Sequence, residues 1–242
     1  MDDIRGGRIA GVLGVGLHGD AWWMMQQRVP VVTLFGKGHV IVNLNAERQM
    51  QLAASTLQKH GCRNLAMCAR AWPFHQPGEL RREVRHEAQM WQSTLPKLGL
   101  KVRRSWMKPD DNRIDDPELR SLSLQEQGFR AVLQLFQGRA AKPDGLYFND
   151  DNQTQGALVA LHRLGIRVGH DVAVATLANT GSKALWGHED DMILLQYNPA
   201  HFIDALFNSL DDLLSGRRPL QEDQMELVEP QLREPLERAQ VL

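Results

Sequence analysis

Short apolar runs alternate with longer helical patterns along almost the whole chain. The run VPVVTLFG (29–36) is typical of a buried strand, and Met50, Ala53, Ala54 and Leu57 give the stretch after it one apolar helical face. Repeated alternation of this kind predicts the α/β fold class, with parallel sheets covered by helices on both faces. In such folds every strand ends at the same rim of its sheet, and ligands bind just beyond that rim.

The pattern predicts eight strands and six helices. The strands are expected at 8–17, 29–36, 39–44, 62–69, 100–107, 144–149, 171–178 and 192–198. The helices are expected at 20–28, 45–61, 81–99, 122–138, 153–165 and 199–216.

Charge and composition restrict the partners of this chain. The 28 Lys and Arg residues nearly balance the 29 Asp and Glu residues, so there is no general electrostatic case for binding nucleic acid. No apolar stretch approaches the roughly 20 residues that a membrane span needs, and the first residues lack the order of a secretory signal. Cys62 and Cys68 are expected to be reduced and structural, which suits the cytoplasm.

The strand predicted at 144–149 ends in a cluster of carboxylates and amides, NDDN (149–152). Asp150 and Asp151 suit the start of the following helix, because acids stabilise helix N-termini. The same oxygens could accept hydrogen bonds from a polar ligand at the rim of the sheet. A metal is not expected, since no calcium-loop spacing surrounds them.

The remaining sequence features are either ambiguous or do not fit the motif they resemble. Trp72, in a loop, could pack down or stack on a flat or sugar-like ring. The run Arg81, Arg82 and Arg85 fits a solvated helix face or a contact to an anion. The glycines in GVLGVGLHG (11–19) lack dinucleotide-binding spacing. Neither a zinc-protease motif nor a nucleophile elbow is present, so no enzyme activity, cofactor or metal is predicted.

Several stretches, in order, resemble the effector-binding core of the lactose/galactose repressor (LacI/GalR) family. The longest is KPDGLYFNDDNQTQGALVALHRLGIRVGHDVAVATLAN (142–179), and VPVVTLFG, TLQKHGCRNLAMCA, LQEQGFRAVLQLF and LVEPQLRE accompany it. The resemblance implies two Rossmann-like lobes of the periplasmic-binding-protein type, with an effector in the cleft between them. It implies an N-terminal lobe of residues 1–61 plus 196–216, and a C-terminal lobe of residues 62–195 plus 217–242.

The resemblance departs from the family pattern in two ways. The DNA-binding headpiece and the first two βα units have no counterpart, so the N-terminal lobe is expected to be incomplete, as a fragment or as a reduced lobe. The family's ligand-binding positions fall on Asn45, on Glu87 (with Arg85 nearby), and on Ala178 with Asn179 beside it; of Asp150 and Asp151, only Asp151 matches. A pocket with three carboxylates would disfavour anions and favour a hydroxylated neutral or cationic ligand.

The prediction is therefore an effector-binding and dimerising core of a LacI/GalR-like transcription regulator. Its partners would be a small polar effector, a second copy in a homodimer, and operator DNA only through a headpiece absent from this chain, with no membrane partner. Helix 153–165 could face that dimer or lie in the core. The alternative is a periplasmic-type solute-binding protein. The predicted ligand-binding residues are Asp151, Asn45, Trp72, Asp150, Arg85, Glu87 and Asn179.

Overall fold

The computed structural model describes residues 2–70, 77–109, 118, 121–137 and 140–235. The chain divides into two compact units. The first unit contains residues 1–45 and 197–230, and the second contains residues 46–196 and the chain from 231 onward. None of the helices in the described ranges is long and apolar enough to cross a membrane.

The first unit is built on a four-stranded sheet in the order β1-β2-β3-β9, with all three strand pairs parallel. Its inner residues, such as Val32, Val40 and Val42, are fully buried. The strands are β1 (Val12–Leu17), β2 (Val31–Gly36), β3 (Val40–Leu44) and β9 (Gln224–Val228). The helices are α1 (Asp2–Arg5), α2 (Gly19–Gln26) and α7 (Pro199–Leu214).

The second unit is built on a six-stranded sheet in the order β10-β8-β7-β6-β4-β5. The β4–β5, β4–β6 and β6–β7 pairs are parallel, and β10 runs antiparallel to β8. The strands are β4 (Leu65–Cys68), β5 (Met107–Lys108), β6 (Gly145–Phe148), β7 (Ala173–Asn179), β8 (Ile193–Tyr197) and β10 (Gln231–Arg233). The helices are α3 (Ala46–Lys59), α4 (Pro77–Lys97), α5 (Leu124–Phe136) and α6 (Asp151–Arg163).

The α/β class predicted from the alternating pattern is confirmed, but one strand is much shorter than predicted. Of the strand expected at 100–107, only the end pairs with β4, through Met67 with Met107 and Cys68 with Lys108. Residues 104–106 form a 3-10 turn instead, and the Arg103 guanidinium lies 4.3 Å from the ring centre of Trp106. This turn interrupts the run, and its last residue, Trp106, is buried.

The unit boundaries differ from those expected from the resemblance. Helix α3, expected in the first lobe, belongs to the second unit because Met50 and Leu57 pack in one core with Leu65 and Tyr147. Strand β9, expected in the second lobe, belongs to the first unit because it pairs with β3.

Helices α5 and α6 cross closely on one face of the second sheet. A Cβ on Gly128 would lie 1.8 Å from the carbonyl oxygen of Gln153, and one on Gly156 would lie 1.8 Å from that of Gln125. Only glycine permits this approach, which fixes the start of α6 against α5. Ala157, Leu158 and Leu161 of α6 are buried with Ala131 and Val132 of α5 in a second core, on this face of the sheet. Of the two readings given for helix 153–165, the one that places it in the core is confirmed for these residues.

Candidate functional site

The candidate site lies at the rim of the second sheet where its central strands end. Strands β4 and β6 are neighbours, and their last residues, Cys68 and Phe148, are partners in the pairing. The residues that follow the two strands must therefore meet at this rim. Arg70 and Asn149 are the first polar side chains after these strands, and they are in direct contact.

Arg70 joins the two strand ends through its backbone and its guanidinium. Its backbone N–H donates to Oδ1 of Asn149 at 2.9 Å, and its Nη1 donates to the Asn149 carbonyl oxygen, also at 2.9 Å. The same Nη1 lies 3.9 Å from Oδ2 of Asp150. Both side chains of this ion pair are largely buried, with 17% and 10% of their surface exposed. A positive charge therefore lies inside the carboxylate cluster expected from the sequence.

Asp150 caps helix α6. Its Oδ1 accepts hydrogen bonds from the backbone N–H groups of Asn152 and Gln153, at 2.9 and 3.1 Å. This geometry satisfies donors that have no partner within the helix. Burial nevertheless raises the pKa of Asp150 above its ordinary value, against the opposing effects of these N–H groups and of Arg70. The capping interpretation is confirmed, and Asp150 is used mainly by the fold.

Glu87 and Asp151 extend the cluster on either side. Nδ2 of Asn149 donates to Oε2 of Glu87 at 2.7 Å, so one amide connects helix α4 to the end of β6. The hydroxyl of Ser182 donates to Oδ2 of Asp151 at 2.5 Å. Asp151 is partly exposed, unlike the buried Asp150. Asp151 and Glu87 are thus the carboxylates best placed to exchange an internal partner for a ligand.

Gln153 is a buried polar residue beneath this cluster. Its Nε2 donates to the carbonyl oxygen of Ala69 at 3.1 Å, beside Arg70. Its Oε1 has no hydrogen-bond partner among the described residues, although the side chain is buried. Next to it, the hydroxyls of Thr154 and Thr176 lie 2.7 Å apart. The floor of the site is therefore polar and almost fully hydrogen-bonded.

The other predicted residues are distributed differently. Asn179 ends β7 and is exposed, and its carbonyl oxygen accepts from the backbone N–H of Ser182. Arg85 is exposed on α4. Asn45 belongs to the first unit, where its side-chain amide donates to Glu229 at 2.7 Å. Trp72 lies outside the described residues. Four of the seven predicted residues thus belong to one network. Asn149 links Glu87 to the adjacent Asp150 and Asp151, and Ser182 links Asp151 to Asn179.

Sequence reasoning missed Arg70 and Ser182. Arg70 directly follows the strand predicted at 62–69, so the rim argument applied to Asn149 would also have identified it. Ser182 had no comparable signal, because its role depends on the fold of the loop after β7. The expected electrostatics change accordingly: Arg70 lies beside Asp150, while Glu87 accepts a hydrogen bond from Asn149 and Asp151 accepts one from Ser182.

Within the described ranges, no group of three or more His, Cys, Asp or Glu side chains is arranged to hold a metal ion. A cavity of about 600 Å³ lies at the opposite rim of the same sheet, near the starts of β7 and β8. Its carboxylates already serve the fold: Asp144 accepts from the backbone N–H groups of residues 63 and 64, and Asp171 pairs with Arg167 at 3.0 Å. That hydrogen bonding lowers the pKa of Asp171. The rim with Arg70 and Asp151 is therefore the stronger candidate.

Comparison with known proteins gives the family and the fold of the chain. The family model for the periplasmic binding protein-like domain matches residues 54–186, which include the rim. A regulatory protein of the LacI family from Chloroflexus aggregans superposes with a TM-score of 0.72 at 19% identity, over 96% of this chain and 77% of that one. No curated protein sequence matches the chain.

Two further solved structures share the fold and were determined with small molecules. The transcriptional regulator CelR in complex with cellobiose has a TM-score of 0.66 at 20% identity, over 96% of this chain and 67% of that one. The Lac repressor bound to ONPG has a TM-score of 0.69 at 16% identity, over 96% and 65%. At these identities the likeness is one of fold.

Proposed function

Because the chain belongs to the periplasmic binding protein-like domain family, we propose that it is the effector-binding core of a LacI-type transcription regulator. The observation that carries the proposal is the hydrogen-bonded polar cluster at the strand ends of the second unit, built from Arg70, Asn149, Asp151 and Glu87. Clusters at this rim are where open α/β sheets bind ligands. Regulators of the LacI family share the fold.

The ligand we propose is a small, neutral, hydroxylated molecule of sugar-like chemistry. Asp151 and Glu87 offer carboxylate oxygens that accept hydrogen bonds, while Arg70 offers donors. A sugar hydroxyl both donates and accepts, so it can meet both kinds of group, whereas an anion would face two carboxylates. Cellobiose in the CelR complex is a ligand of this class.

Asp151 is the residue proposed to bind the ligand most directly. A ligand hydroxyl would replace the Ser182 hydroxyl on Oδ2, and Glu87 would accept a second hydroxyl beside it. Asn45, Trp72, Arg85 and Asn179 remain proposed contributors to the site.

Thermal-shift and calorimetric titration with cellobiose, lactose, glucose, galactose and ribose test this proposal. We expect at least one sugar to stabilise the protein, and Asp151→Asn to weaken its binding at least tenfold, because a charge-assisted hydrogen bond becomes a neutral one. Asp171→Asn, at the opposite rim, is the matched control and should leave affinity unchanged. If no sugar binds, or if both variants bind equally well, the proposed site is wrong.

The chain by itself should not bind operator DNA specifically. Its charges nearly balance, and the predicted elements include no basic recognition helix. A gel-shift assay with random and genomic DNA fragments at low salt should show at most weak, sequence-independent retardation. A tight shift with one sequence would contradict the proposal that DNA contact needs a separate headpiece.

The second candidate is a solute-binding protein that delivers the same class of ligand to a transporter. The description of the matching family favours it. We propose that the protein is a regulator rather than a solute-binding protein, and that it is therefore located in the cytoplasm. Fractionation of cells expressing the gene from its own promoter separates the two, since a solute-binding protein would be found outside the cytoplasm.

A further inference from the structure

The Ser182 hydroxyl fastens the loop after β7 to the candidate site. Its Oγ donates its single proton to Oδ2 of Asp151 at 2.5 Å, and accepts from the backbone N–H of Ala184 at 3.3 Å. The backbone N–H of Ser182 donates to the carbonyl oxygen of Asn179 at 3.0 Å. Among the described residues, this one hydroxyl makes the hydrogen bond that connects residues 180–184, the Ser182 loop, to helix α6.

The Ser182 loop has a point of easy rotation and a fixed end. Gly181 has a φ of +78°, and a Cβ placed on it would meet nothing within 4 Å, so its surroundings do not confine it. Leu185, directly after the loop, is 1% exposed and lies in one core with Ala178 and Leu194. A rearrangement of this loop can therefore start at Gly181 and stop at Leu185.

A small cavity beside Ser182 offers its hydroxyl a second position. The cavity has a volume of about 60 Å³, and its lining includes Ser182, Glu189, Gln196 and Arg233. A water molecule takes roughly 30 Å³ in the liquid, so a hydroxyl group fits. Carboxylate, amide and guanidinium groups in the lining can pair with it. Leaving Asp151 would thus not bury the hydroxyl without a partner, which would be costly.

The hydroxyl on Asp151 has the same chemistry as the ligand proposed for this site. A serine side chain and a sugar are both alcohols, and each donates a proton to a carboxylate oxygen. Oδ1 of Asp151 already accepts from Nδ2 of Asn152 at 3.0 Å. At Oδ2, the serine oxygen occupies the position that a ligand oxygen would take. The loop and the ligand therefore compete for one acceptor.

We propose that Ser182 is an internal competitor of the ligand and sets the affinity and specificity of the Asp151 site. In the unliganded protein its hydroxyl occupies Oδ2, and a ligand hydroxyl displaces it towards the small cavity, so that the Ser182 loop moves. Only a ligand with a free hydroxyl at this position makes the exchange, because a methyl ether or a deoxy sugar has no proton to donate there. This inference rests on the proposed function, since it concerns the ligand of the same site.

A purely structural role of Ser182 predicts the opposite effect on binding. If the hydroxyl only held Asp151 in place, removing it would weaken binding, because a less ordered carboxylate must be fixed by the ligand. If the hydroxyl competes, removing it leaves Oδ2 to water, and the ligand binds more tightly. The sign of the change in affinity therefore separates the two roles.

Calorimetric titration of Ser182→Ala, with the sugar that binds the unmodified protein most tightly, tests the competition. We expect the alanine variant to bind at least threefold more tightly, and Ser182→Thr, which keeps a hydroxyl, to stay within twofold of the original affinity. Equal or weaker binding by Ser182→Ala would overturn this inference and leave sugar binding in place. If no sugar binds either protein, the proposed function is wrong and the competition falls with it.

Hydrogen exchange followed by mass spectrometry tests the connection to the loop in the unliganded protein. Asp151→Ala removes the acceptor of the Ser182 hydroxyl, so the amides of residues 180–184 should exchange at least fivefold faster. Asp171→Asn, at the opposite rim, is the control and should leave their exchange unchanged. Saturating sugar should speed exchange of the same amides in the unmodified protein. An unchanged rate in Asp151→Ala, or no response to a sugar that binds, would show that the loop does not depend on this carboxylate, and the inference would be wrong.

Discussion

Ten of the fifteen large apolar side chains exposed in the described part of the chain lie in the first unit, which has about half as many residues as the second. The second unit has two extensive apolar cores, one on each face of its sheet. The first unit has valine-rich strands but leaves residues such as Val15, Phe207 and Met225 exposed. A small unit buries a smaller share of its surface, so it gains more from a partner.

The units also differ in their buried polar groups. The second unit buries Asn149, Asp150, Gln153, Thr154 and Thr176 at the candidate site, nearly all of them hydrogen-bonded. Such networks fix one arrangement of the chain, because each unpaired group would be costly. The second unit therefore buries a hydrogen-bonded polar network, whereas the first leaves more of its apolar side chains exposed.

The largest expected effect lies at the α5–α6 crossing, which positions that site. Gly156→Ala puts a methyl group where the Gln125 carbonyl oxygen lies 1.8 Å away, so the helices must separate. We expect a loss of about 3 kcal/mol of unfolding free energy, at the upper end for overpacking, in urea denaturation followed by circular dichroism. Gly128→Ala should behave in the same way.

Gly19→Ala in the first unit is the matched control. Nothing lies within 4 Å of a Cβ at Gly19, which is the first residue of α2. Its unfolding free energy should therefore stay within about 0.5 kcal/mol of the original. A small loss for Gly156→Ala would mean that the second unit is packed as loosely as the first, and the contrast between them would fail.

The same contrast explains how much could be predicted from the sequence. Strands and helices with a strong apolar period, such as β6 and α6, were predicted to within about two residues, because burial alone specifies them. The Asp150 cap followed from local chemistry. The role of Ser182 and the short β5 could not be predicted, since they depend on loop geometry and on which strand lies next to β4.

A medium effect is expected at Asp150, where capping and charge can be separated. Asp150→Ala loses the acceptor for the backbone N–H groups of Asn152 and Gln153, and should cost about 1 kcal/mol of unfolding free energy. Asp150→Asn keeps an acceptor oxygen and removes the buried charge, so it should be clearly more stable than the alanine variant. Equal losses would show that the charge, rather than the cap, matters.

The pH dependence of stability shows whether ionisation of Asp150 stabilises or destabilises the folded protein. Its pKa is raised in the folded protein, mainly by burial, so the folded state binds the proton more tightly than the unfolded state. Its contribution to stability is therefore largest at low pH and is lost as the pH rises through the folded pKa. Subtracting the urea-denaturation profile of Asp150→Asn from that of the unmodified protein should show this fall, and a rise would contradict it.

The smallest effect is expected at a surface ion pair of the first unit, Lys37 with Asp223. The two atoms lie 3.1 Å apart, but the side chains are 58% and 49% exposed. Lys37→Met should change the unfolding free energy by less than about 1 kcal/mol, and less still in 0.5 M salt, because water and ions screen exposed charges.

Arg70→Met in the second unit is the comparison for this substitution. It leaves the Asp150 carboxylate buried without its ion pair and should cost several times more unfolding free energy. If the two substitutions cost the same, the exposed ion pair of the first unit would contribute as much to stability as the buried one of the second, and the contrast in charge burial between the units would fail.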